Sequence, residues 1–160
     1  MPFIMNRRNF IVATSALAFA PKALAAETHK VDMLNVAPDN PRARNVFAPR
    51  LFLVQPGDTV SFLSTDRSHN SASIDGMIPE GAEAWDGAIN ADIDVTFEMP
   101  GIYGYECTPH LALGMVGVVI VEGDGKLDNL EAAQAVRQRG RARQAFAEIW
   151  EEAEAAGYLS

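Results

Sequence analysis

The chain reads as a mainly β domain, a sandwich or barrel of short strands followed by a C-terminal helical pair. Three observations predict this. Short apolar and β-branched runs recur with Pro, Gly, Asp and Asn turn signals between them. Residues 115–121 form a β-branched run with no charge, the pattern of a strand buried on both faces. After Asp128 the apolar spacing changes from the strand period to the helical one.

The elements follow in order. Residues 29–36 alternate partly and predict a first strand, and residues 38–44 a polar turn. Phe47, Leu51, Leu53 and Val54 belong to strand-like pieces, and Pro56-Gly57-Asp58 is a tight-turn signal. A β-rich run covers residues 59–64, and the polar residues 65–70 form a loop that delivers His69. Residues 79–90, rich in Gly and acids, predict an irregular loop. Ile93, Val95 and Phe97 share one face of a strand, and Pro100-Gly101 turns the chain. Ile102, Tyr103 and Tyr105 lead into Cys107. Asp128, with Glu131 three residues on, predicts a capped helix that Gly140 ends. Ala142, Ala145, Phe146, Ile149, Trp150 and Ala153 then mark one face of a second helix, with Gly157 as its C-terminal stop. That stripe predicts packing on the sandwich.

Residues 1–26 read as an export signal. Asn6-Arg7-Arg8-Asn9-Phe10 is a basic start with a twin arginine, residues 11–20 are a short apolar stretch, and Ala23-Leu24-Ala25 offers a cleavage site. The apolar run is too short to span a bilayer. The arginine pair, the weak hydrophobicity and Lys22 favour the twin-arginine route over the general one. The expected organisation is therefore a removed signal (1–26), a sandwich (27–124) and a helical pair of the same domain (125–160). Without the signal, 10 basic and 21 acidic residues remain. That balance argues against nucleic acid and anionic membrane as partners.

The chemistry gathers at the single cysteine. Cys107-Thr108-Pro109-His110 runs on to Met115, and His69-Asn70 lies upstream. A thiolate, two imidazoles and a thioether are the ligand set of a blue-copper site. The expected roles are equatorial for His69, Cys107 and His110 and axial for Met115. Taken singly, each residue has a plainer reading: a buried Cys as a small apolar side chain, a loop His at the surface, a Met in the core. Their joint spacing does not. Zinc would want four good ligands where this set offers three and a thioether. His29, the one remaining histidine, is expected to be solvated, so the sequence supplies neither a second metal centre nor a histidine base.

At this point the chain resembles the pseudoazurins of the cupredoxin family. The resemblance rests on Met33-Leu34-Asn35, Pro56-Gly57-Asp58-Thr59-Val60, His69-Asn70, Gly76-Met77-Ile78-Pro79, Cys107-Thr108-Pro109-His110 and Gly114-Met115-Val116-Gly117. It implies an eight-stranded Greek-key sandwich with two terminal helices, one type 1 copper ion, and a monomeric periplasmic carrier of single electrons that serves respiratory enzymes such as nitrite reductase. It also implies that Asn70 ties the two ligand loops together, with Thr108 as its partner, and that Pro109, Leu111, Ala112 and Leu113 form an apolar patch around the edge of His110. Pro109 has no N–H to give the sulfur.

The chain departs from its family in charge. Arg67 keeps a cation, but Asp86 and Glu106 stand where the family commonly carries lysines. Like charges slow association, so a basic c-type cytochrome, or a reductase with a basic face, becomes a credible partner. Two other function classes compete. Copper storage or delivery would need easy metal release, and an oxidase or reductase would need another metal centre.

Overall fold

The computed structural model describes residues 25–160 as a two-sheet sandwich with helices against one side. Most of the expected export signal lies outside the described residues. The strands are β1 (Thr28–Val36), β2 (Arg44–Ala48), β3 (Leu51–Val54), β4 (Asp58–Leu63), β5 (Ala72–Ser73), β6 (Ile93–Phe97), β7 (Gly101–Glu106) and β8 (Val116–Val121). A 3-10 turn, Thr108–Leu113, lies between β7 and β8, and α1 (Leu130–Ala135) and α2 (Ala142–Ala155) follow. One sheet has the order β2-β1-β4-β6 and the other β3-β8-β7-β5. The β1–β4 and β3–β8 pairs are parallel and the remaining pairs antiparallel. These parallel pairs exist because the chain crosses between sheets after β2 and again after β3, as in a Greek key.

Side-chain parity builds two cores. Tyr103, Tyr105 and Cys107 share one face of the β7 path and point into the sandwich, where they meet Val119, Val121, Phe47, Phe62 and Trp85. Val116, Val118 and Ile120 point the other way and lie under Ala142, Phe146, Ile149 and Ala153 of α2, and Ile102 of β7 joins the same outer cluster on the α1 side. This is why residues 116–121 are buried throughout. Truncating Phe146 to Ala would cost about 3–5 kcal/mol on the usual scale for buried aromatics. Gly117 sits across from Tyr105 in the ladder, and a Cβ there would lie 2.2 Å from the Tyr105 ring, so only glycine admits that ring.

Three expectations need correction. Asp128 does not cap α1. Asn129 is the cap residue, and its side chain is spent elsewhere: its Oδ1 accepts from Ile102 N–H (2.9 Å) and its Nδ2 donates to the Ile102 carbonyl (2.8 Å). Locking α1 to β7 satisfies otherwise free backbone groups, which outweighs a local cap. Gly140 does not end α1 either, since the helix stops at Ala135 and residues 136–141 cross irregularly to α2. Gly157 does close α2, with Tyr158 N–H bonded to Ala153 O (2.9 Å) and Gly157 N–H to Glu154 O (3.0 Å).

His29 is the third. Rather than standing in solvent, its Nε2 lies 3.1 Å from Asp58 Oδ2, and its ring packs by Phe52 at 6.3 Å. Asp58 is nearly buried at 4% exposure. Burial disfavours its charged form, but the N–H groups of Glu27 and Gln55 (both 2.8 Å) and the His29 ring prevail and hold the carboxyl below its usual value. A lowered folded pKa adds stability above the unfolded value of about 3.9, and that stability is lost as pH falls through the folded one. Thermal unfolding followed against pH should therefore show the wild type losing stability below about pH 4. Asp58→Ala should cost about 1–3 kcal/mol at neutral pH, through stranded donors, and should flatten that acid limb.

Candidate metal centre

The β7–β8 pairing builds the centre. Its register joins Glu106 to Val116, so residues 107–115 must close a loop at the end of the two most buried strands. The Cys107 N–H donates to Met115 O (3.0 Å), and the Met115 N–H donates to His110 O (3.3 Å). These bonds place both ends of the loop side by side. β5 brings in the other loop: Ala72 pairs with Glu106, so His69 and Asn70, just upstream, arrive beside Cys107.

Three donor atoms converge there. Cys107 Sγ lies 3.4 Å from His110 Nδ1 and 3.7 Å from His69 Nδ1, and the two Nδ1 atoms are 3.1 Å apart. His69 and Cys107 are fully buried, while His110 is half-buried. The tautomer of His69 follows from its other nitrogen. Nε2 lies 3.0 Å from Asn35 Oδ1, which only accepts, so Nε2 carries the proton and Nδ1 turns its lone pair to the centre. Burial first, and then the neighbouring His110, hold the His69 imidazole below its usual pKa, so it is neutral at pH 7. Burial pushes the Cys107 thiol up, opposed by the N–H groups of Asn70 and His110. A buried thiol beside the His69 lone pair and the His110 Nδ1 suits a cation that ionises it. Met115 is 1% exposed and shares the inner core with Cys107, below the loop.

Asn70 joins the two loops. Its Oδ1 accepts from Thr108 N–H (2.8 Å), and its Nδ2 donates to Thr108 Oγ1 (3.1 Å) and to Gly87 O (3.0 Å). Pro109, Ala112 and Leu113 are exposed, Leu113 by 49%, while Leu111 is half-buried against the outer core. Asp86 and Glu106 both neighbour Ala72 in the sheet. Burial, and then the Asp86 carboxylate, push the Glu106 carboxyl up.

Three residues bear on this site in ways that their sequence positions do not assign. Asn35 orients His69, although it stands within the quoted Met-Leu-Asn motif. Trp85, in what reads as an acid-rich loop, is buried and donates Nε1–H to Ser71 Oγ (3.0 Å), next to Asn70. A lone aromatic in a polar loop was the available signal. Gly140 is the third: a Cβ there would lie 2.5 Å from Ala112 O, and its φ is +56°. The adjacent Arg141 N–H donates to that same carbonyl (3.0 Å), so the link between the helices braces the ligand loop from outside.

A thiol and two imidazole nitrogens gathered at one end of a Greek-key sandwich, over a buried methionine, define a type 1 copper protein of the cupredoxin class. Residues 31–122 match the sequence profile described as copper binding proteins, plastocyanin/azurin family. Pseudoazurin of Paracoccus pantotrophus is 41% identical over 132 residues, covering 82% of this chain and 87% of that one. Pseudoazurin of Methylorubrum extorquens is 43% identical over 126 residues, covering 78% and 82%. A solved Sinorhizobium pseudoazurin superposes with a TM-score of 0.74 at 42% identity, covering 80% of this chain and 97% of its own. The chain belongs to the plastocyanin/azurin family and, within it, to the pseudoazurins. Its cofactor is one type 1 copper ion.

Two substitutions test this framework. Asn70→Ala strands the Thr108 N–H and the Gly87 carbonyl and should cost about 1–3 kcal/mol in denaturant unfolding. Gly140→Ala should lower the melting temperature and speed copper loss to a chelator, because the brace must move away from Ala112. Unchanged chelation kinetics would mean that the loop is held without it.

Proposed function

We propose that His69 Nδ1, Cys107 Sγ and His110 Nδ1 would hold the copper ion, with the Met115 thioether as a weak fourth donor, and that the protein ferries single electrons between redox proteins of the periplasm. The observation that carries this reading is the convergence of the three donors, with the His69 lone pair directed inward by Asn35. Copper bound there supplies a one-electron Cu(II)/Cu(I) couple. The protein's part is to keep the ligands still. Asn70 pins Thr108 beside Cys107, the Cys107–Met115 bond fixes the loop ends, and Gly140 and Arg141 press on the loop from outside. A site that moves little between oxidation states exchanges electrons with little rearrangement.

His110 is the least buried of the three, in a loop whose exposed residues are Pro109, Ala112 and Leu113. That apolar surface meets a c-type cytochrome, a nitrite reductase or a similar redox protein, and the protein acts as a carrier rather than an enzyme. No helix among the described residues is long and apolar enough to cross a membrane. The signal pattern of residues 1–26 supports export. The full burial of Cys107 favours a carrier over a storage or delivery protein, which must release its metal.

The oxidised copper protein should show the intense visible thiolate-to-copper band, and Cys107→Ser should abolish it while leaving the β-sheet circular dichroism unchanged. A wild type without the band ends the assignment. Loss of copper to a chelator within seconds would favour delivery. Pro109→Ala introduces an N–H next to the thiolate. One added hydrogen bond favouring the reduced site by about 1 kcal/mol should raise the potential by on the order of 40 mV in voltammetry.

A further inference from the structure

On the helical side of the sandwich a cavity of about 450 Å3 opens between α1, the link that follows it and α2, and none of the copper donors lines it. Its floor is apolar. Met77, Ala133 and Phe146 are almost wholly buried, and the half-buried Trp150 stacks by Phe146, with ring centroids 6.0 Å apart and planes 20° from parallel. Arg137 and Arg143 stand at the rim, exposed, and neither makes an ion pair among the described residues. No carboxylate lines the cavity, and no acid stands in the first turn of α2 to offset Arg143. Gln138, half-buried in the same lining, donates its Nε2–H to the Met77 sulfur (3.2 Å), a weak acceptor where a carboxylate would be a strong one. A planar apolar wall thus meets three donor side chains that lack an anion.

We infer that this cavity binds small aromatic carboxylates, with the ring against Trp150 and the Met77–Phe146 floor and the carboxylate between Arg137 and Arg143. Each half of the ligand has its reason. A planar ring covers apolar area on aromatic side chains and has few torsions to freeze. A guanidinium fork pairs with a carboxylate through parallel N–H bonds and, being weakly hydrated, does so beside apolar surface. The concave shape, the apolar lining and the few convergent polar groups are those of a small-molecule site. Occupancy also bears on the metal centre. Val136, Arg137 and Gln138 of the link form one wall of the cavity, and the same link then carries Gly140 against Ala112. A ligand that joins Arg137 to Arg143 spans the link and holds both its ends, so it stiffens the brace on the ligand loop.

The test is titration of the copper(I) protein with cinnamate, beside the neutral cinnamyl alcohol and the ringless acetate, followed by backbone amide and indole N–H signals in NMR spectra. The chain has two tryptophans, so each indole reports separately. The Trp150 indole and the amides of Arg137, Gln138 and Ala147 should shift saturably, with a dissociation constant of about 1 mM or below. The Trp85 indole, hydrogen-bonded to Ser71 in the inner core, should not move. The alcohol should bind the wild type about tenfold more weakly or worse, as should cinnamate the variant Arg137→Gln, Arg143→Gln. Both replaced residues are exposed, so the variant should keep the visible band and melting temperature of the wild type. Saturating cinnamate should slow copper loss to a chelator about twofold or more in the wild type and leave the variant unchanged. No saturable shift at Trp150, equal binding of the alcohol, undiminished binding to the variant, or the same shifts with acetate overturns the site. Copper loss unaltered by saturating cinnamate overturns its coupling to the metal centre.

Discussion

The antiparallel pairing of β7 with β8 governs the molecule. Both strands are covered on both faces, by the opposite sheet within and, without, by α1 over β7 and α2 over β8, so neither can slip by a residue without exposing one core. That register turns Cys107 inward and returns the chain at Met115 directly beside it. A loop closed so tightly has little freedom left, and it curls into a 3-10 turn that places His110 within 3.4 Å of the sulfur. The metal centre is thus the end of a strand pair rather than an addition to it.

The second loop is held by polar bonds in place of register. β5 has only two residues, too few to fix a loop alone. Asn70 adds bonds to Thr108 and Gly87, the His69 carbonyl accepts from Asn90 N–H (2.9 Å), and Ser71 meets the Trp85 indole. Buried hydrogen bonds of this kind are costly to break on either side, and no buried side-chain donor or acceptor is left unpartnered among the described residues. Trp85 also stacks near Phe62 (6.1 Å) and edges onto Phe97 (5.7 Å). The irregular segment is therefore anchored in the same core that carries β7.

The helical pair has two roles. Its apolar stripe covers the outer face of β8, and the link before α2 presses on the ligand loop at Ala112. The same link carries Arg141 to the copper end of a chain whose sequence is strongly acidic. Packing of a structural element and the local sign of the charge at that end are consequently bound together, since Arg141 is placed by the backbone bond of its own N–H.

Strand runs, the change of period after Asp128, and the Cys-His-Met spacing with an upstream His-Asn were readable in the chain itself, because alternation, helical stripes and ligand spacing are local properties. Non-local partners were not. Asp128 has the form of a helix cap, yet Asn129 is tied to Ile102 across the fold. His29 has the form of a solvated terminus, yet it meets Asp58 through the parallel β1–β4 pair. Asn35, Trp85 and Gly140 bear on the site only because strands and links far apart in sequence are stacked at one end. The amino-acid order by itself determined a β domain with a thiolate, imidazole and thioether ligand set. Tertiary structure alone decided which nitrogen of His69 faces inward, what braces the loop, and which charges stand beside it, because each depends on contacts between segments that only folding brings together.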